Sequence, residues 1–210
     1  MPRVTDVLDY LKEPELVNWM LKNSAAKRKA IQEEAFRIGT SVDELVRQDV
    51  VEGGYLTPED DSAVLNCMTA WESFKKAHPE FIGSVVETQT NLEDKENDIT
   101  GHPDFVIRRA NDTWGIVDLK TSSGIRPTYW TQTAQYSEMW RKMKKTSLPR
   151  FIGVLRLDKK EGTWEYKEIA DETVIRYEVE IFRSMLLLFR HGESVRESLR
   201  QQLEKEILDI

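Results

Sequence analysis

The chain has 210 residues, 40% of them hydrophobic, which is enough to bury a full core without stabilising cross-links. Its one cysteine excludes an intramolecular disulfide, and no secretory signal pattern or apolar run of membrane-spanning length occurs. A net charge of −7 argues against a nucleic-acid binder that relies on a uniformly basic surface. We therefore expect a cytoplasmic protein that is neither secreted nor attached to a membrane.

The first part of the chain, about 1–80, is predicted to be helical. Apolar residues recur there with helical spacing, Gly53-Gly54 interrupts the pattern, and Thr57-Pro58 is a typical helix start. The predicted helices cover 4–10, 13–21, 25–46 and 57–77.

From about 81 to 170 the pattern changes to strands on either side of one helix, and helices return over 171–210. Strands are predicted at 81–88, 105–107, 114–119, 151–157 and 163–169, with a helix around 130–140 and two final helices separated at Gly192-Glu193. This order predicts one α/β domain over 1–210, with a mixed central sheet flanked by helices.

Two short motifs carry candidate chemistry. Asp104 ends the sequence Gly101-His102-Pro103-Asp104, and Asp118-Leu119-Lys120 closes the next predicted strand. Side chains alternate along a strand, so Asp118 and Lys120 share one face, and Asp104 lies opposite Asp118 if the two strands pair in register. Two carboxylates with the Leu119 carbonyl are hard oxygen ligands suited to Mg²⁺ or Mn²⁺. Taken alone, an Asp-x-Lys strand is more often an exposed ion-pairing face.

The helix after these strands adds a polar pair. Gln132 and Tyr136 are four residues apart and share a helix face, which fits either the edge of a polar site or the core side of an amphipathic helix. Tyr129 and Trp130 precede them and would either stack on an unpaired base or pack against the sheet. Basic runs that could contact phosphate occur at 27–29, 75–76, 108–109 and 141–145.

Together, Gly-x-x-Asp, Asp-x-Lys and Gln-x-x-x-Tyr over Gly101–Tyr136 resemble the PD-(D/E)xK nuclease superfamily, in its RecB-like, phage-type exonuclease branch. The resemblance implies a restriction-endonuclease-like core in which Asp104 and Asp118 hold one or two Mg²⁺ or Mn²⁺ ions and Lys120 assists hydrolysis. It also implies supporting roles for Gln132 and Tyr136.

The resemblance extends upstream to two further candidate metal ligands. Asp43 follows Arg37-Ile38-Gly39-Thr40, at the place where the family often has a histidine, and a solvated helical Asp is the alternative. Glu87 lies on the strand before the hairpin, where related exonucleases have a glutamate near the metal, and an outward-facing residue is the alternative. The iron–sulfur branch is excluded because such clusters need several thiolates and Cys67 is alone.

The function that the resemblance implies is a metal-dependent DNA exonuclease that acts on linear DNA ends in repair, recombination or replication, in a bacterial, archaeal or virus-infected cell. Two alternatives stay open: a non-catalytic DNA-end-binding or assembly protein on a nuclease-like core, and a structure-specific endonuclease. The sequence also leaves open the polarity of digestion, the strand preference, and assembly as a homo-oligomer or with a recombination partner protein.

Overall fold

A computed structural model describes residues 1–10, 19–56, 61–147 and 151–208, with the side chains of 199, 200 and 202–208 excepted. The helices are α1 (Val4–Leu8), α2 (Ala25–Glu52), α3 (Ser62–Ala77), α4 (Glu80–Ser84), α5 (Pro127–Lys144) and α6 (Glu172–Leu208). The strands are β1 (Val85–Thr88), β2 (Leu92–Asp94), β3 (Ile99–Gly101), β4 (Phe105–Arg108), β5 (Trp114–Lys120), β6 (Phe151–Leu157) and β7 (Trp164–Ile169).

The main sheet has five strands in the order β1-β4-β5-β6-β7, and β2 and β3 form a separate two-stranded sheet. Only the β5–β6 pair is parallel, because α5 connects those two strands as a crossover helix. The other neighbours are antiparallel. The predicted α/β fold class with a mixed central sheet, flanking helices and a helical N-terminal region is confirmed.

Each face of the sheet is covered by helices. On one face α2 and α3 bury Phe105, Val117 and Leu155 in a core that centres on Trp71 and Phe74. On the other face α1, α5 and α6 cover Val106 and Ile116. Strand β5 is therefore central and buried on both sides, and only its first and last residues, Trp114 and Lys120, are partly exposed.

The strand predicted at 81–88 is wrong in its first half. Glu80–Ser84 forms the short helix α4, and the strand begins at Val85. Phe81 packs its ring edge against Trp71, Phe74 and Phe105, so this aromatic contact fixes the helical turn in the core. A short apolar run does not distinguish a buried helical turn from a strand.

The predicted break at Gly192-Glu193 is also wrong, because α6 continues through it. The ring of Tyr10 lies against Gly192, and a Cβ at this position would meet the Tyr10 hydroxyl oxygen at 1.8 Å. Gly192 thus permits close contact between α6 and the N-terminal segment rather than ending the helix.

Other boundaries also differ from the prediction. Helix α2 runs six residues past Val46 to Glu52, and the hairpin of β2 and β3 was not predicted. Asp61 caps α3 by accepting hydrogen bonds from the amides of Ala63 and Val64. The predicted cap Thr57-Pro58 and most of the predicted helix at 13–21 lie outside the described residues. In the part that is described, no helix has the length and apolar character needed to cross a membrane.

A buried ion pair joins α2 and α3, the two helices that cover one face of the sheet. Asp49 of α2 is 8% exposed and accepts hydrogen bonds from Trp71 Nε1 at 2.8 Å and from Lys75 Nζ at 2.6 Å. A carboxylate in this position needs both donors, because an unpaired buried charge is strongly unfavourable. Asp49 therefore fixes how α2 packs on α3.

We expect Asp49→Ala to lower the free energy of unfolding by about 3 kcal/mol, because it leaves the buried indole N–H without its acceptor and the Lys75 ammonium with Glu72 as its remaining partner. Asp49→Asn keeps an oxygen for Trp71 and should cost about 1 kcal/mol. Urea denaturation measures both. The control Glu193→Ala removes an exposed ion pair with Arg196 and should change stability by less than about 0.5 kcal/mol. Equal stability of Asp49→Ala and wild type would contradict this role.

Candidate active site

The predicted site residues meet where β5 ends. One cleft of about 310 Å³ is lined by Asp43 of α2, by Asp104, which directly precedes β4, and by Asp118, Leu119 and Lys120 of β5. Gln132 from α5 lines the same cleft, as do Phe36, Gly39 and Thr40 from α2. Residues far apart in sequence thus come together, because α2 and α5, which cover opposite faces of the sheet, both contribute side chains to the cleft at the end of β5.

The pairing of β4 with β5 places Asp104 opposite Asp118. Phe105 pairs with Val117, so Asp104, the residue before Phe105, aligns with Asp118, the residue after Val117. The Asp104 carboxylate accepts a hydrogen bond from the Leu119 amide, with Oδ2 and N 2.5 Å apart. This bond continues the strand pairing through a side chain and leaves the second oxygen of Asp104 for another partner.

Asp118 and Lys120 form an ion pair at the end of the central strand. Asp118 is 1% exposed, and the Lys120 ammonium lies against its Oδ2. The Lys120 ammonium is therefore the partner of this buried oxygen. Asp118 needs such a partner, because an unpaired buried charge is strongly unfavourable.

Asp43 is held from the side by Gln89, whose Nε2 donates to Asp43 Oδ2. Gln89 follows β1 directly, and its backbone N–H donates to the backbone carbonyl of Asp104 at 3.3 Å. Gln89 was missed in the sequence because it belongs to no motif. Its only sequence signal is its position two residues after Glu87 at the end of a strand.

Burial and the crowding of carboxylates raise the pKa values of Asp43 and Asp104. Burial and the charge of Asp118 raise the pKa of Asp43 to about 6, although Lys120 opposes the shift. Burial, Asp118 and Asp43 raise the pKa of Asp104 well above its usual value. Asp104 still has an accessible surface in the cleft, while protein atoms surround it elsewhere. Burial disfavours the Lys120 ammonium, but Asp118 and Asp104 outweigh it and raise the pKa of Lys120.

Gln132 and Tyr136 form a supporting pair under the cleft. Both are buried, and Gln132 Nε2 donates to the Tyr136 hydroxyl at 3.0 Å. The Tyr136 ring packs against Gly101, where a Cβ would meet ring carbon Cε1 at 2.4 Å. Glycine in the Gly101–Asp104 motif thus allows the tyrosine to approach the strand that leads to Asp104.

Glu87 lies apart from the cleft. It accepts from the Thr90 hydroxyl at 2.8 Å and forms an ion pair with Lys144 at 3.0 Å. Its partner on the neighbouring strand β4 is Val106, two residues beyond Asp104. The structure therefore brings together the predicted ligands Asp43, Asp104, Asp118 and Leu119, but not Glu87.

The smaller sequence features also have defined places. His102 is exposed and lines the cleft. Trp130 packs against the core cluster of Ala134, Ile152 and Ile175, so packing is its role. Tyr129 covers Lys120, with the ammonium 5.1 Å from the ring centroid.

The cleft fits a hard divalent cation. Asp43 and Asp104 have pKa values that burial and the charge of Asp118 raise, and a cation beside these carboxyls would stabilise their charged forms. Among the described residues, no three His, Cys, Asp or Glu side chains form a ready cluster. Mg²⁺ commonly uses one or two carboxylates and retains several waters, so it needs fewer protein side chains than such a cluster provides.

The sequence matches no family model and no curated protein. The structure is similar to an alkaline exonuclease from Laribacter hongkongensis, with 12% identity over 97% of this chain and 93% of the other and a TM-score of 0.43. It is also similar to a phage-related exonuclease from Haemophilus somnus, with 12% identity over 94% and 96% and a TM-score of 0.41. A putative exonuclease from Eubacterium rectale has 14% identity over 70% and 73% and a TM-score of 0.36.

The pKa of Asp43 predicts how the stability of the metal-free protein depends on pH. The pKa is about 6 in the folded chain against 3.8 for an ordinary Asp, so between these values the folded chain binds more protons. Stability should therefore fall as pH rises through this window. We expect wild type to lose more stability than Asp43→Asn between pH 5 and pH 7, and Asp43→Asn to be the more stable at pH 7.

Urea midpoints in the presence of a chelator measure this difference. The control Asp112→Asn removes an exposed carboxylate that pairs with Arg108 in the β4–β5 loop, and it should follow the wild-type pH profile. Parallel profiles for wild type and Asp43→Asn would show that Asp43 is not destabilised by its neighbours.

Proposed function

We propose that this chain is a divalent-metal-dependent nuclease that hydrolyses DNA from its ends. The observation that carries the proposal is the convergence of Asp104, Asp118 and Lys120 in one cleft, where Asp118 is buried against the Lys120 ammonium. Hydrolysis of a phosphodiester needs a cation near the phosphate and a positive group for its developing charge. The cleft offers ligands for the first and Lys120 for the second.

The roles of the residues follow from their contacts. Asp104 and Asp118, with the Leu119 carbonyl, would hold Mg²⁺ or Mn²⁺, and Asp43 is the additional carboxylate beside them. A bound cation would act as a Lewis acid toward the phosphate and promote ionisation of the attacking water. The Asp104 bond to the Leu119 amide aligns the ligands of the two strands.

Lys120 would donate N–H hydrogen bonds to phosphate oxygens as charge accumulates on them. Water adds to phosphorus, the bond from phosphorus to the leaving sugar oxygen breaks, one proton leaves the water and one reaches the leaving oxygen. Gln132 lines the cleft and Tyr136 holds its amide, so the pair would orient a ligand or a substrate oxygen.

The setting that we propose is DNA repair, recombination or replication in the cytoplasm of a bacterial, archaeal or virus-infected cell. Ends are favoured over internal sites because no added helix-turn-helix or zinc module for reading bases is evident in the sequence. The chain acts in this proposal as one domain over 1–210.

The decisive experiment measures degradation of end-labelled linear single- and double-stranded DNA in Mg²⁺ or Mn²⁺, with closed circular DNA beside them. We expect linear DNA to be degraded and circular DNA to persist. Lys120→Ala and Asp118→Asn should each lower the rate at least about 100-fold, since the first removes the positive group beside the phosphate and the second weakens the proposed metal ligand set. The control Lys167→Ala changes an exposed lysine of β7 and should have wild-type activity.

Other results of this experiment have clear meanings. Cleavage of circular DNA at a similar rate would replace the exonuclease with an endonuclease on the same core. No cleavage of any substrate by a folded, metal-saturated wild type would favour a non-catalytic DNA-end-binding or assembly protein.

Metal binding can be tested without catalysis. We expect Mn²⁺ to bind wild type, as followed by the loss of its free electron paramagnetic resonance signal during titration. Asp118→Asn should weaken this binding about 10-fold or more, because it replaces a charged ligand with a neutral one. Glu87→Gln lies outside the cleft and should bind Mn²⁺ like wild type. Equal Mn²⁺ affinity for wild type and Asp118→Asn would place the ion elsewhere.

A further inference from the structure

Phe36 has the most exposed aromatic ring among the Phe, Tyr and Trp side chains that the structure describes, at 76% exposure. It lies on α2 at the rim of the cleft that contains Asp43, Asp104 and Lys120. A single exposed apolar residue needs no explanation by itself. Its position beside a cluster of charged groups is the feature that calls for one.

Between Phe36 and Asp43, helix α2 lines the cleft with small residues. Phe36, Gly39, Thr40 and Asp43 recur with helical spacing and all line the cleft. Gly39 and Thr40 are small, so they do not separate the ring from the carboxylates. Two helical turns place Phe36 about 10 Å along the helix axis from Asp43, which corresponds to roughly three stacked nucleotides at 3.4 Å per step.

Electrostatic attraction for a nucleic acid is limited around this cleft. The predicted basic runs are largely engaged in ion pairs with acids of the same chain. Lys75 pairs with Asp49, Arg109 with Glu168, and Lys142 with Asp94 and Glu96. Arg108, Arg141 and Lys144 pair with Asp112, Glu138 and Glu87. Contacts that need no free cation would therefore add to the affinity that the proposed metal ion and Lys120 provide.

Base stacking on an aromatic ring is such a contact, and it contributes about 1–3 kcal/mol per base. The other aromatic residues near the cleft are engaged in the protein. Tyr129 covers the Lys120 ammonium, and Trp130 packs against the core. Phe36 is the ring with a free face at the cleft.

We propose that Phe36 stacks on an unpaired base within about three nucleotides of the phosphate that is cut. The favoured substrate of the proposed nuclease is then a single-stranded or frayed DNA end, because a paired base within a duplex does not offer its face. This inference rests on the proposed function for its position in the reaction, but the stacking contact can be measured without cleavage.

The binding experiment uses a single-stranded oligonucleotide with 2-aminopurine at its terminal positions and follows quenching of its fluorescence. We expect Phe36→Ala to weaken binding about 10-fold or more. Phe36→Trp should retain the affinity, whereas Phe36→Leu keeps the apolar bulk without an aromatic face and should behave like Phe36→Ala. The control Ile31→Ala removes an exposed apolar side chain of α2 outside the cleft and should bind like wild type.

A matched oligonucleotide without bases at the last three positions of each end isolates the ring–base contact. Its binding is measured by competition with the strand that contains 2-aminopurine. Phe36→Ala should weaken binding of this oligonucleotide less than twofold, because the contact is already absent. A similar loss on both oligonucleotides, or retained affinity in Phe36→Leu, would overturn stacking.

The rates of cleavage separate the two proposals. Wild-type cleavage that is unchanged in Phe36→Ala on single-stranded ends would refute the stacking role and leave the nuclease intact. Phe36-dependent quenching without any cleavage by wild type would keep the stacking contact and refute the nuclease. A greater loss of rate on single-stranded than on blunt duplex ends is the expected result.

Discussion

The ion pair between Asp118 and Lys120 is the interaction on which the candidate site depends. It lies at the end of the central strand, where the core on both faces removes most of the water that would otherwise solvate these charges. Val117 and Leu119 alternate with this pair and point into the core of α2 and α3. The same alternation that builds the core therefore fixes the direction of the two charged groups.

The surrounding carboxylates explain why one lysine does not neutralise the site. Asp43 and Asp104 both have raised pKa values, and each is disfavoured by the charge of Asp118 in addition to burial. Lys120 lowers these pKa values but does not return them to their ordinary range. A site with this surplus of negative charge is less stable without a cation than an ordinary polar surface, which is typical of sites that gain their final stability from a ligand.

Much of the architecture could be predicted from the sequence because its signals are local. Alternation placed the β4–β5 hairpin and the shared face of Asp118 and Lys120. The observed pairing of Phe105 with Val117 is the register that this expectation for Asp104 and Asp118 requires. The errors occurred where a distant contact overrides the local pattern. Phe81 is helical because it enters an aromatic cluster, and Gly192 continues a helix because Tyr10 packs on it.

The candidate site divides in the same way. The motif residues of β4, β5 and α5 could be found from their spacing, and the resemblance pointed to Asp43. Gln89 could not be found, because its role depends on a side-chain bond to Asp43, 46 residues away in sequence. Glu87 was assigned by resemblance, but the Lys144 ion pair and the Thr90 hydroxyl hold it apart from the cleft. Spacing predicts which face a side chain takes, while its partner depends on packing between elements.

Phe36 shows the limit of reading apolar residues as core. The apolar stripe that helical spacing predicts along α2 consists of Ile31, Ala35, Ile38, Val42 and Leu45. Ile38 and Val42 are buried, but Ile31 and Ala35 are exposed, and Phe36 lies off the stripe and is exposed as well. An aromatic residue off the apolar stripe of a helix is a usable sequence signal when a candidate site lies on the same helix. In the proposed function it would also reconcile an acidic chain with a phosphate-rich substrate. Pairing of many basic residues with acids limits electrostatic attraction, and a ring that stacked on a base would supply affinity that does not depend on net charge.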